Sequence, residues 1–271
     1  AVEDIIAGLA ASQYPETTLR RYVDALILIG PDAISSLANA LSHNSPQVRS
    51  GAVLTLGTSG KSAGHLVPKI ITLLDDDDAF VRASAAEALG KLGPAARAAA
   101  PILAGKLNDK VSRVRAAAVD GLGKTAGDDV TYAALFATAL NADEASVRIA
   151  ATRVLSKLPA IATAAAENLV AALVDEDEHV RAGAARALGV AGKDIASSVP
   201  ALVQQLRDPV DEVRVEIVRA LGAIGETTPG VIAELGATIA DPSPKVRRQG
   251  VLTLRGLGPD AMPAVPQLVQ A

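Results

Sequence analysis

VRASAAEALGKLG, Val81 to Gly93, is the stretch that decides the fold, because close copies of it return along the chain. VRAAAVDGLGKTA begins at Val114, VRAGAARALGVAG at Val180 and VRVEIVRALGAIG at Val213. Working outward, Arg49, Arg82, Arg115, Arg148, Arg181, Arg214 and Arg247 each stand 33 residues after the last. Valine precedes every one of them (Val48, Val81, Val114, Val147, Val180, Val213, Val246). Seven residues after each Arg comes Leu56, Leu89, Leu122, Leu155, Leu188, Leu221 or Leu254. Three such columns lie beyond chance, and a fixed period of this length marks a repeat array.

Within one copy the apolar residues fall at Val81, Ala85, Leu89 and Leu92, which is one face of an α-helix. A glycine follows the leucine by one residue (Gly57, Gly90, Gly123, Gly189, Gly222), and a second ends the helix at Gly93, Gly192 and Gly225. Upstream lies another helical pattern: Ile70 with Leu74, Leu103 with Leu107, Leu169 with Leu173, Leu202 with Leu206. Pro68, Pro101, Pro200 and Pro266 share one column near its start, where a missing N–H costs least. Each unit therefore reads as helix A, a short polar turn and helix B.

The units fall at 1–33, 34–63, 64–96, 97–129, 130–162, 163–195, 196–228 and 229–261, with a partial one at 262–271, all within a single array. The first diverges, with Ile5, Ile6 and Leu9 on helix A, Leu19 to Gly30 on helix B, and Thr18-Leu19 replacing Val-Arg. Such divergence suits a capping repeat. In the unit 130–162, Ser156 replaces the glycine, Ala142 an aspartate, and Tyr132 and Phe136 enter helix A. The chain starts at Ala1 without an initiator Met and stops inside a helical pattern, Pro266 to Ala271, so a piece or processed form of a longer protein is expected.

Composition agrees with packed helices. Apolar residues make up 49% of the 271 and aromatics only 2%, so alanine and aliphatic side chains must fill the core. No apolar run reaches membrane-spanning length and no signal-like segment is read, so a soluble chain is expected, its compartment undecided by sequence with the cytoplasm favoured. The absence of cysteine excludes disulfides and thiolate metal sites. A net charge of −4 argues against a general electrostatic grip on nucleic acid.

A turn aspartate, then Val-Arg, then an alanine-rich helix ending ALGxLG resembles HEAT repeats, and more narrowly the bacterial type also found in phycobilisome lyase subunits. Asp76, Asp109, Asp175, Asp208 and Asp241 stand six residues before their arginines, as that pattern asks, while His43 and Ala142 break the column. The resemblance covers essentially the whole chain. It implies an all-α fold: a right-handed α-solenoid, or superhelix, of about eight two-helix repeats, with B helices lining the concave face. It also implies that the Arg and Asp columns form a structural ladder, each guanidinium meeting an aspartate of its own or the adjacent turn and turn carbonyls.

The acidic turns, DDDD at Asp75 to Asp78 and DEDE at Asp175 to Glu178, lack the alternating ligands, turn glycine and closing glutamate of a calcium loop. They read as solvated turns that favour the positive end of helix B. The variable slots are more informative. On helix B the first, fifth and ninth residues after the Arg are expected to form an outward ridge. Its fifth positions are Leu54, Glu87, Asp120, Arg153, Arg186, Arg219 and Leu252. Glu87 faces Lys91, and Asp120 faces Lys124, as ordinary exposed helix pairs. Asp120 can also meet Arg153 across the repeat boundary, and Arg219 can reach Glu216. Arg186, between Ala182 and Val190, is left without an evident partner.

Arg153, Arg186 and Arg219, with Lys157 and Arg248, thus form a candidate basic stripe for an acidic segment of another protein. No catalytic set accompanies it. His43, His65 and His179 sit in different units, and the one Glu-His pair, Glu178-His179, is the reverse of the pairs in HEAT-like hydroxylases. HEAT-like DNA glycosylases would need aromatics to cradle a base, and tryptophan is absent. The expectation is a non-catalytic scaffold or docking module without cofactor or metal. The alternative is a phycobilin-lyase-like subunit assisting chromophore attachment to a phycobiliprotein.

Overall fold

The pattern of apolar residues demands pairs of helices that bury one face each, and the computed structural model is built of such pairs. It describes residues 2–11, 16–29 and 33–264. Among these no strand occurs. The expected helix over Pro266–Ala271, the end of helix B at Gly30 and the side chains of Ile6, Leu9 and Leu19 lie outside the described residues.

Two units divide at Gly127 and Asp128. The first holds α1 (Val2–Ala11), α2 (Glu16–Ile29), α3 (Ile34–Ala40), α4 (Pro46–Thr58), α5 (Val67–Thr72), α6 (Ala79–Leu92), α7 (Ala100–Lys106) and α8 (Ser112–Ala126). The second holds α9 (Ala133–Ala139), α10 (Ala145–Leu155), α11 (Pro159–Ala164), α12 (Ala166–Ala172), α13 (Glu178–Ala191), α14 (Val199–Gln204), α15 (Asp211–Ile224), α16 (Pro229–Ala237) and α17 (Pro244–Leu257). B helices stack on B helices: α4 on α2 and α6, α6 on α8, α13 on α10 and α15, and α15 on α17. Each A helix packs on the B helix of its own repeat, as α7 does on α8 and α12 on α13. Each unit is thus an all-α solenoid, one layer of A helices against one layer of B helices.

The core lies between the two layers. Val81, Ala85 and Leu89 are fully buried and Leu92 nearly so, together with Ile70, Leu74, Leu103, Leu169 and Leu202 from the A helices. Successive B helices approach closely through the glycine after the leucine. A Cβ on Gly90 would stand 3.0 Å from the Cα of Gly121, and one on Gly57 only 2.6 Å from the Cα of Ala88. Glycine is needed there for space, not for backbone freedom. Gly93 needs that freedom, since it caps α6 with φ 58°.

The A helices are shorter than the sequence pattern suggests. A 3-10 stretch comes first, such as Gly93–Ala99 or Gly192–Ser198, and only then six or seven α-helical residues. Proline sits in the first two positions of α5, α7 and α14, where it displaces no hydrogen bond. The irregular unit 130–162 differs again. Its B helix, α10, stops at Leu155, because Pro159 has no N–H to continue the helix and holds Leu158 to an extended φ of −125°. A short helix, α11, takes the place of the 3-10 stretch. Its first N–H groups, on Ala160 and Ile161, donate to the Asp128 carboxylate at 3.1 Å each.

Candidate protein-interaction surface

The arginine column and the aspartates that answer it are turned inward on the stack. The Arg82 Nη1 donates to the carbonyls of Asp76 and Asp77 in its own turn at 2.9 and 3.0 Å. Its Nε and Nη2 donate to the two oxygens of Asp109, one repeat ahead, at 2.8 and 3.0 Å. Arg49 meets Asp76 in the same way, Arg148 meets Asp175, Arg181 meets Asp208 and Arg214 meets Asp241. The carboxylate thus belongs to the following repeat and the carbonyls to the arginine's own turn. Arg115 and Arg247 make the own-turn bonds, to the carbonyl of Asp109 and to those of Asp241 and Pro242. Burial by itself would raise the carboxyls of Asp76, Asp109 and Asp241. Their arginine partners, with a backbone N–H donated two residues on, outweigh it and hold all three below the usual carboxylate range.

The acidic turns are consumed by the fold. Asp75 pairs with Lys106 at 2.6 Å, Asp76 is a rung of the ladder, and Asp78 caps α6 by accepting from Phe80 and Val81. In the DEDE run, Asp177 caps α13 likewise and Glu176 reaches Arg148 at 3.1 Å. Among the described residues no group of three His, Asp or Glu side chains is placed to hold a metal. His43 accepts the Ser45 N–H, whereas His65 and His179 are exposed.

The B-helix ridge is narrower than expected. Its fifth and ninth positions are open, but the first is buried at Ser50, Ala83, Ala182 and Val215, with Ala83 at 6% exposure and Ala182 and Val215 at 7%, and half-buried at Ala116 and Ile149. The three positions spread over about 80° of the helix at 100° per residue. Stacking B helices on both sides closes off the first of them. Among the described residues only Arg248, on α17, keeps that position exposed. In the first unit the ridge floors a groove of about 580 Å³, where Phe80, Leu54, Ala83 and Ala116 meet Glu87, Lys91, Arg113 and Asp120. Glu87 and Lys91 pair at 2.8 Å, and the Arg113 guanidinium lies 4.8 Å from the centre of the Phe80 ring.

In the second unit Arg153, Arg186 and Arg219 occupy the same exposed position on α10, α13 and α15. Arg186 is not unpartnered, as its own helix suggested. Its Nη2 reaches Glu216 of the next repeat at 3.0 Å, a contact that spacing along one helix cannot show. Arg219 meets the same Glu216 oxygen at 2.8 Å. Lys157 and Arg248 are exposed.

Sequence reasoning named Glu216 only as something Arg219 could reach, and Gln249 not at all. A signal was present, because the column two residues after the Arg reads Gly51, Ser84, Ala117, Ala150 and Gly183 before it turns to Glu216 and Gln249. A charged residue in a column of small, inward-facing ones has to be answered by a partner.

Helix pairs stacked through an arginine ladder, with a strip of variable residues left open on the B helices, define a helical-repeat solenoid. The chain belongs to the HEAT-repeat family: the family model described as HEAT repeats matches residues 34–123, 67–156, 166–255 and 199–271. Among solved structures it is similar to an engineered protein, at 22% identity and a TM-score of 0.63, over 99% of this chain and 81% of that one. It is also similar to importin beta, at 14% identity and a TM-score of 0.69, over 99% of this chain and 42% of that one. These likenesses show the fold. No curated protein matches the chain. Among the described residues no helix is long and apolar enough to cross a membrane.

Proposed function

We propose that the protein is a non-catalytic interaction scaffold that docks an acidic segment of another protein on the B-helix face of its second unit. One observation carries the reading. Three B helices of this unit, α10, α13 and α15, present arginine at one exposed position, in a chain whose net charge is −4. Lys157 and Arg248 extend the stripe. Arginine at such a site offers a planar fork to carboxylates and tolerates partial desolvation better than lysine does. The comparisons give the fold, whose families commonly serve as interaction scaffolds, and the charge pattern supplies the rest of the argument.

The test is fluorescence anisotropy of a labelled poly-glutamate peptide, titrated with salt, on the protein and on a Lys157→Glu, Arg248→Glu variant. Neither side chain takes part in an ion pair among the described residues, so reversal leaves the fold's own charge pairs intact. Binding should weaken as salt rises and fall about tenfold further in the variant. Equal affinity of the two proteins, or tighter binding of duplex DNA than of the peptide, would overturn the reading.

A second reading rests on the groove of the first unit. It brings the Phe80 ring and Arg113, with Glu87, Lys91 and Asp120, around a space of about 580 Å³, the size of a small-molecule site, and this supports a phycobilin-lyase-like role. A shift in the visible absorbance of a free bilin on mixing would favour it, and an unchanged spectrum would remove it.

A further inference from the structure

Glu216 is 3% exposed, yet its carboxylate is held by one oxygen only. Oε1 accepts from Arg186 Nη2 at 3.0 Å and from Arg219 Nη1 at 2.8 Å. Oε2 is buried and has no hydrogen-bond partner among the described residues. A carboxylate buried with half its acceptor capacity unused is costly to the fold, and such a group calls for an explanation. Packing supplies none, because the preceding copies fill the same column with Gly51, Ser84, Ala117, Ala150 and Gly183.

What Glu216 accomplishes is the pinning of two arginines from neighbouring helices. Because both nitrogens bond one oxygen, they lie no more than about 6 Å apart, twice a hydrogen-bond length. The two side chains remain 47% and 54% exposed, so their forks keep N–H groups directed to solvent. Arg219 also touches Gln249 Oε1 at 3.4 Å, a third anchor from the next repeat. Two guanidinium forks meet one buried carboxylate here and keep N–H groups free for a carboxylate of the partner, whereas a phosphate dianion would lie beside both Glu216 and Glu212, the second acid that acts on Arg186.

Building on the reading of this face as a docking surface, we infer that Arg186 and Arg219, locked by the buried Glu216, form a clamp for one carboxylate side chain of the docked acidic segment. Glu216 is then a positioning residue. The arginines lose their rotamer freedom before the partner arrives, so the partner does not bear that cost on binding.

Charge and positioning make opposite predictions for Glu216→Ala, a variant the fold accommodates because alanine already fills this column at Ala150. Removing the acid makes the face more positive. If charge alone mattered, the poly-glutamate peptide would bind more tightly. The clamp predicts binding about tenfold weaker, with helicity and thermal midpoint close to those of the parent. Arg186→Lys with Arg219→Lys gives the same test without touching Glu216: charge is kept and the fork is lost, and affinity should again fall about tenfold. Peptide affinity unchanged or raised in both variants would overturn the clamp while leaving the broader docking surface standing. So would tighter binding of a phosphoserine peptide of the same length. Absence of peptide binding to the parent protein would remove both.

Discussion

Arg82 holds Asp109, 27 residues ahead, by two parallel bonds of 2.8 and 3.0 Å while its third nitrogen grips the turn at Asp76 and Asp77. One side chain thus fixes its own turn and joins it to the next repeat. In a solenoid, stability is the sum of such neighbour contacts, so the rung is part of the interface energy between repeats.

Both ends of this pair are about nine-tenths buried, with side-chain exposures of 8% and 8%. Arg82→Ala would leave the Asp109 charge buried and the carbonyls unanswered, a loss of about 3–5 kcal/mol. Glu87→Ala, which breaks the exposed pair with Lys91, should cost about 0.2–0.5 kcal/mol. Urea unfolding of the two variants distinguishes these values.

The ladder also sets a pH dependence. Asp76, Asp109 and Asp241 have folded values below their ordinary 3.8. Between the folded and unfolded values the unfolded chain binds more protons, so stability rises with pH there. The contribution is therefore fully present above the unfolded value and lost as pH falls through the folded ones. The thermal midpoint should be insensitive to these groups near neutrality and drop below about pH 4. Asp76→Asn should shrink that acid-induced drop.

Glycine substitutions should have opposite signs at two sites. A Cβ on Gly57 would stand 2.6 Å from the Ala88 Cα, so Gly57→Ala should cost about 1–3 kcal/mol by overpacking. Gly105, in α7, has nothing within 4 Å of such a Cβ, and Gly105→Ala should stabilise by about 0.4–1 kcal/mol. Thermal melts of the two proteins give the comparison.

Asp128 caps α11, so Asp128→Ala should cost about 1 kcal/mol. The effect should be local, seen as faster amide hydrogen exchange at Ala160 and Ile161 with little change in α13.

The repeat, the helix pairing and the buried face were legible because each depends on spacing within one copy: Val81, Ala85 and Leu89 bury together wherever that helix is placed. The paired glycines were legible as a column, but their purpose was not, since the backbone Gly90 would collide with belongs to Gly121. The same limit hid the partner of Arg186. Glu216 stands 30 residues further on, and a search along one helix cannot find an acid that arrives from the next. The ridge is narrower than its helical spacing suggests for a related reason. Angles around an isolated helix do not show how much of it two neighbours cover, as Ala182 and Val215 record.

The central claim is that the open strip of B-helix residues in the second unit is where an acidic partner sits. Cross-linking tests it most directly. A photo-reactive benzophenone residue replaces Val190, 37% exposed on the strip, or Gln204, exposed on the A helix α14. Illumination with the poly-glutamate peptide should give a cross-link from position 190 that added salt suppresses, and none from position 204. Equal yields from the two positions, or a product from position 204 alone, would contradict the account.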